Sequence, residues 1–342
     1  MAAGERTLIL AEGFSADPHY GKTMRGVMRY RRDDVVAVLD STRAGGTDAG
    51  VPVVGDVQGA LAFGPEVAIV GVATQGGRFP PEWRDILRAC IAKGLSIENG
   101  LHEMLADDSE LRPLADAAGV ELRDLRRPPE GLDCATGANL DVDSRIVLTV
   151  ASDCAVGKMT VSLELDRAAR ERGLESLFVP TGQTGIAIAG WGIAVDAVVA
   201  DFISGAAEQL VIEGHRRGGQ LLWVEGQGSL VHPAYSGVTL GLYHGSVPHA
   251  LVLCHRAGST EIEGSPGHPI PPLRELVELH ERMALPRRPA RVAALALNTA
   301  GLGEREAREV VAAASDETGL PAADPVREGA DALLDAVLAG LP

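Results

Sequence analysis

Residues 149–165 read TVASDCAVGKMTVSLEL, and the fold turns on how the middle of that stretch is understood. Before its centre, RIVLTVA (145–151) is an apolar, β-branched run of strand length. After it, VSLELDRAARERG places Val161, Leu165, Ala168 and Ala169 on one helical stripe and stops at Gly173. With Gly157-Lys158 at the helix start, this order matches the end of a phosphate-binding loop. In such a loop successive backbone N–H groups converge on an anion, the helix dipole adds positive potential and the lysine supplies a point charge. Two positions depart from that pattern. Ser152 stands where the first glycine is usual, and Met159 stands where a hydroxyl normally coordinates Mg²⁺. Thr160 comes one residue late, which swings its side chain by about 100° around the helix. Ser152, Cys154, Ala155, Val156, Gly157, Lys158, Met159 and Thr160 are therefore expected to clasp linked phosphates without the usual metal contact. A second GK, in HYGKTMRG, has no glycine five places before Gly21 and follows Pro18 rather than a strand; it reads as a loop and a helix start.

The bulk properties agree with a soluble, cytoplasmic globular protein. A chain of 342 residues, 46% of them hydrophobic, can bury two domain cores. Its formal charge of −16 repels nucleic acid and anionic membranes, so an anionic ligand must meet a local positive site. The amino-terminal apolar run is too short for a signal segment, and no later stretch is long enough to cross a bilayer. Cys90, Cys134, Cys154 and Cys254 lie far apart with no metal-binding spacing, which suggests reduced thiols and no metal centre. The high alanine and arginine content points to a GC-rich bacterium, and helical faces rich in Ala and Val suit a homo-oligomer.

Strand-length apolar runs alternate with helical stretches in both halves, the sequence form of parallel βαβ units and so of an α/β fold. Residues 1–125 are expected to form a Rossmann-like domain, with strands at 7–11, 35–39 and 67–72. No GxGxxG follows any of these, so no dinucleotide site is assigned. Residues 126–144, rich in proline, glycine and charge, read as a linker. Residues 145–342 are expected to form a P-loop NTPase-like parallel-sheet domain, with strands at 146–150, 176–180, 221–225, 250–254 and 292–297.

In an open parallel sheet, ligands lie beyond the carboxyl ends of the strands. One such end delivers Glu225, where a carboxylate is costly unless used, followed by GQGSLVHPAYSGVTLGLYHG. Glu225 is placed to orient a metal-bound water or to accept a proton from an amine. From that loop Gly226, Gln227, Ser229, His232, Tyr243 and His244 are assigned to the substrate. Gln183 and Thr184, in TGQTGIAIAGWG, offer donors to an anionic group. Asn298 is placed to hydrogen-bond an adenine ring over which Pro325 closes. His232, His244 and His249 lack the i, i+4 pairing of a helical zinc site.

The blocks SDCAVGKMT, PTGQTGIAIAGWGIAVDAVVADFISGAAE, VEGQGSLVHPAYSGVTLGLYHG and LNT resemble a known family. So do GKTMRGVMRYR, VVAVLDSTRAG and SIENGLHEML in the first half. That family comprises two-domain P-loop proteins, long uncharacterised, whose studied members are D-glutamate N-acetyltransferases. The resemblance implies a Rossmann-like amino-terminal domain, a carboxy-terminal domain similar to dethiobiotin synthetase, and acetyl-CoA as acyl donor. It also implies a small acidic amino acid as substrate and, in some members, a partner racemase acting on the N-acetyl product. Attack by an amine on a thioester needs a base and an oxyanion donor. Glu225 or Asp153 is the candidate base. Lys158, Gln183, Thr184 and the Gly226–Ser229 backbone are candidates for the oxyanion and the substrate carboxylates. Two alternatives stay open: an ATP- and Mg²⁺-dependent kinase or ligase, and a nucleotide-binding regulatory module without turnover.

Overall fold

The computed structural model describes residues 4–17 and 20–342 and divides the chain into two compact units. The first unit holds residues up to 128 together with 182–197, and the second holds 129–181 and 198–342.

The first unit is built on seven strands: β1 (Thr7–Leu10), β2 (Val35–Leu39), β3 (Thr47–Asp48), β4 (Val51–Val54), β5 (Val67–Val70), β6 (Ser96–Asn99) and β7 (Leu122–Asp124). Their order is β3-β4-β2-β1-β5-β6-β7. All neighbours are parallel except the β3–β4 hairpin at the edge. That hairpin turns through Ala49 and Gly50, both with positive φ, as a tight two-residue turn requires. Every residue of β1 and β5 is buried, which accounts for their unbroken apolar text. The short strands β3, β4, β6 and β7 escape the sequence reading because polar residues and a proline dilute the apolar signal.

At the ends of β1 and β2, the carboxylate of Asp40 accepts hydrogen bonds from the backbone of Gly13, Ser15 and Thr42 and from both hydroxyls of Ser15 and Thr42. Burial opposes its charge, but these bonds win and hold its pKa below the ordinary value. The acid at a Rossmann-like strand end thus ties down its own loops, consistent with the missing glycine fingerprint.

Pro18, just before HYGKTMRG, and His19, at the start of that stretch, lie outside the described residues. The rest starts the helix Lys22–Tyr30, and the Thr23 side chain is buried. The helix Gln183–Ala189 packs on that helix and adds Ala187 to this unit's core.

The second unit's strands are β8 (Arg145–Ala151), β9 (Ser176–Val179), β10 (Leu221–Val224), β11 (Ala250–Arg256), β12 (Arg291–Asn298) and β13 (Ala322–Ala323), in the order β13-β12-β11-β8-β10-β9 and parallel throughout. The helix Lys158–Glu171 follows β8 and buries Val161, Leu165, Ala168 and Ala169, the stripe read from the sequence. Each buried leucine of this kind contributes about 1.5–3 kcal/mol of transfer free energy. Beneath the sheet, Trp223 Nε1 donates to Ser176 Oγ, which donates in turn to the buried Asp166, so the indole and carboxylate are both satisfied.

Candidate functional site

The carboxyl ends of β8, β9, β10 and β12 meet around the 152–157 loop. Ala155 and Gly157 both have positive φ, and Gly157, at +118°, lies where a side chain would be strained. This twist turns the chain into the helix that begins at Lys158. The Lys158 side chain is 7% exposed, and its ammonium donates to the Asp153 carbonyl at 2.9 Å. Burial pushes its pKa below the ordinary value, opposed by the nearby Cys154, Cys254, Asp153 and Glu225.

The surroundings hold the loop in place. Ser152 is fully buried; its N–H donates to the Cys254 carbonyl and its hydroxyl pairs with His255 Nδ1 at 2.9 Å. The Ser152 carbonyl accepts from the Ser229 hydroxyl. Asp153 accepts N–H bonds from Cys154 and Glu263. Val156 is buried, and its carbonyl accepts from the Asn298 amide. Met159 and Thr160 sit half-buried in the first helical turn.

Glu225, 5% exposed at the end of β10, accepts the Thr181 N–H at 2.9 Å through Oε2, and its carbonyl accepts the Thr181 hydroxyl. Gly226 follows and passes so close to β8 that a Cβ there would lie 1.8 Å from the Thr149 carbonyl oxygen and 2.9 Å from Lys158 Cδ. Its N–H donates to Thr149 Oγ1. Gln227 donates its side-chain amide to Thr181 Oγ1. His232 is buried, its Nδ1 accepts the Ala234 N–H at 3.1 Å, and its ring lies 4.6 Å from that of Tyr235.

Asp153, Cys154, Lys158, Glu225, Gly226, Gln227, Ser229, His232 and Asn298 thus share one end of the second unit's sheet. Tyr243, His244, Pro325, Gln183 and Thr184 have other surroundings. Tyr243 belongs to the core: it is 2% exposed, its hydroxyl donates to the His280 carbonyl, and burial raises its pKa well above the ordinary value. His244 Nε2 pairs with the Met283 carbonyl at 2.8 Å. Both side chains anchor the helix Ser236–Ser246 on the segment that ends Leu273–Arg282, so neither is offered to a ligand. Pro325 is buried, leaving Val326 as the exposed residue of its turn. Gln183 and Thr184 fold with the first unit: the Thr184 hydroxyl shares a 2.9 Å hydrogen bond with that of Thr23, and Gln183 packs against Gly100.

Sequence reasoning missed Thr181, which holds Glu225 through two bonds; a threonine directly after an apolar strand was the available signal. It also missed the approach of His232 to Asp153 and Cys154. One donor atom from each of these three lies within 4.8 Å of the others.

Comparison with known proteins matches both halves of the chain. A P-loop domain of unknown function, DUF1611_C, matches residues 133–334, and a Rossmann-like domain of unknown function, DUF1611_N, matches residues 39–128. A protein of Tritonibacter scottomollicae named D-glutamate N-acetyltransferase is 36% identical over 340 residues, which cover 98% of this chain and 99% of the relative. One of the same name from a Pseudoalteromonas species is 37% identical over 276 residues, 80% of this chain and 82% of the relative. The crystal structure of a DUF1611 protein from Anabaena variabilis superposes with a TM-score of 0.92 at 42% identity, covering 98% of this chain and 99% of that one.

Proposed function

This chain belongs to the two-domain DUF1611 family and is an N-acetyltransferase, and from that premise we propose that it transfers the acetyl group of acetyl-CoA to the amino group of a small acidic amino acid of the D-glutamate kind. In this reading the 152–160 loop holds the pyrophosphate of coenzyme A. The observation that carries it is Lys158, a buried ammonium whose hydrogen-bond partner among the described residues is its own loop's carbonyl. The loop lacks a metal-binding hydroxyl at position 159, which suits a pyrophosphate that is gripped and not cleaved.

When bound, acetyl-CoA supplies an activated acyl group on a thioester. The chain's part is to hold the donor and to manage a proton. Lys158 and the loop amides would attract the phosphates, and Asn298, whose amide donates to the Val156 carbonyl, is the residue assigned to adenine. Glu225 is the acceptor for the proton that the attacking amine must lose. Thr181 fixes one of its oxygens, so the carboxylate is oriented before any substrate arrives.

A second reading, an ATP- and Mg²⁺-dependent kinase or ligase, is favoured by one feature: Glu225 lies at the strand end where such enzymes place an acid, near Lys158. Calorimetric titration separates the two. Metal-independent binding of CoA without a response to ATP-Mg²⁺ supports acyl transfer, and the reverse pattern overturns it. A screen of acidic amino acids with acetyl-CoA, detecting released thiol, then names the acceptor.

A further inference from the structure

We propose that Asp153, Cys154 and His232 form a binding site for a divalent cation of the zinc class. The three contribute a carboxylate oxygen, a thiol sulfur and an imidazole nitrogen, each within 4.8 Å of the others. Bonds of about 2.0–2.3 Å in a tetrahedral site set its ligand atoms about 3.5 Å apart, so side-chain rotation of about an ångström completes the set. Oxygen, nitrogen and thiolate together select zinc, or cobalt in its place, over Mg²⁺ and Ca²⁺, which take oxygen ligands alone.

Two of the three groups are already oriented by hydrogen bonds. Asp153, 3% exposed, is oriented by the N–H groups of Cys154 and Glu263 at 2.6 and 2.8 Å, and each of its oxygens retains a lone pair. His232 is fixed by the Ala234 N–H and by its contact with Tyr235. The Ala234 bond shows that Nδ1 accepts, which places the neutral ring's proton on Nε2. A cation at Nε2 needs the tautomer protonated at Nδ1, so the ring must exchange its Ala234 bond for an acceptor as the site fills.

Three protein ligands leave a fourth position open, the pattern of zinc sites that take an exogenous ligand. A carboxylate, a thiolate and a divalent cation sum to zero charge. With the Lys158 ammonium beside it, the site therefore favours an anionic oxygen in the fourth position. It is independent of the identity of the acyl donor.

Cobalt(II) titration of the full-length, chelator-treated protein tests it. One equivalent is expected to give an ultraviolet sulfur-to-cobalt charge-transfer band and intense visible bands of tetrahedral cobalt, all displaced by zinc. Cys154→Ser should abolish the charge-transfer band, and His232→Gln should weaken cobalt binding at least tenfold, with both variants melting like wild type. Cys134→Ser, at an exposed thiol, should keep the full spectrum. A wild-type protein without the band, a band that survives Cys154→Ser, or one lost in Cys134→Ser overturns the proposal. If Cys154→Ser fails to fold, undiminished cobalt affinity in a folded His232→Gln does so alone.

Discussion

Replacing Lys158 by methionine should weaken CoA binding and leave folding stability undiminished, and the two effects have separate physical origins. The ammonium is buried, so a phosphate oxygen reaching it would form a charge-assisted hydrogen bond shielded from solvent. Such bonds contribute about 1.5–3 kcal/mol, so the dissociation constant should rise roughly 10- to 150-fold. In the ligand-free protein, the desolvation of that ammonium outweighs the attraction of Cys154, Cys254, Asp153 and Glu225, since the net shift of its pKa is downward. Methionine fills similar volume and removes the desolvated charge, so the urea midpoint should stay level or rise. Isothermal titration with CoA, and with pantetheine as a phosphate-free control, reads the first effect; urea denaturation reads the second. A change in CoA affinity below threefold, or an equal loss for pantetheine, would refute the phosphate clasp.

Glu225→Gln keeps a carbonyl oxygen to accept the Thr181 N–H and loses only basicity, so turnover should fall at least a hundredfold with CoA affinity within threefold of wild type, as steady-state kinetics and calorimetry together would show. Gly226→Ala places a methyl group 1.8 Å from a main-chain oxygen of the central strand β8 and should cost about 3 kcal/mol or more; a wild-type melting temperature would contradict the close approach. His249 and His280 are each held at a pKa of about 4, chiefly by burial. Because the unfolded chain binds their protons first, near pH 6.5, stability should be full above pH 6.5 and decline as pH falls toward 4. Urea midpoints at pH 7 and pH 5 check this, and a His280→Gln variant that is less pH-sensitive than wild type would identify one source.

The second unit was legible because its signals are local. The apolar strand 145–151, the stripe on the helix after it and the acid ending β10 each state their own position, and alternation along the chain implies a parallel sheet with those ends together. Long-range pairing carries no such signal. Nothing in TGQTGIAIAG tells whether Ile186 and Ala187 cover one core or the other; only the fold assigns Ala187 to the core beneath the helix Lys22–Tyr30. Likewise Tyr243 and His244 read as ligand-facing because the loop before them is polar, yet both hydrogen-bond to carbonyls of a distant segment. His232 joins Asp153 and Cys154 only through the path of the loop after Glu225.

The placement of Glu225 beside Lys158 constrains the mechanism more than the motif does. A pantetheine arm has about the length of four extended residues, roughly 14 Å. If the loop holds the pyrophosphate, a fully extended arm carries the thioester well away from Lys158. The lysine then serves binding, and the oxyanion donor must be sought elsewhere. Glu225, close enough to Lys158 to act on its charge, would serve as base only if the bound donor brought its thioester back toward the loop. The Glu225→Gln measurement therefore tests the role of the carboxylate. Loss of turnover alone would support Glu225 as the base and a thioester held near it. Loss of CoA affinity in equal measure places Glu225 at the phosphate end and moves the base to another residue.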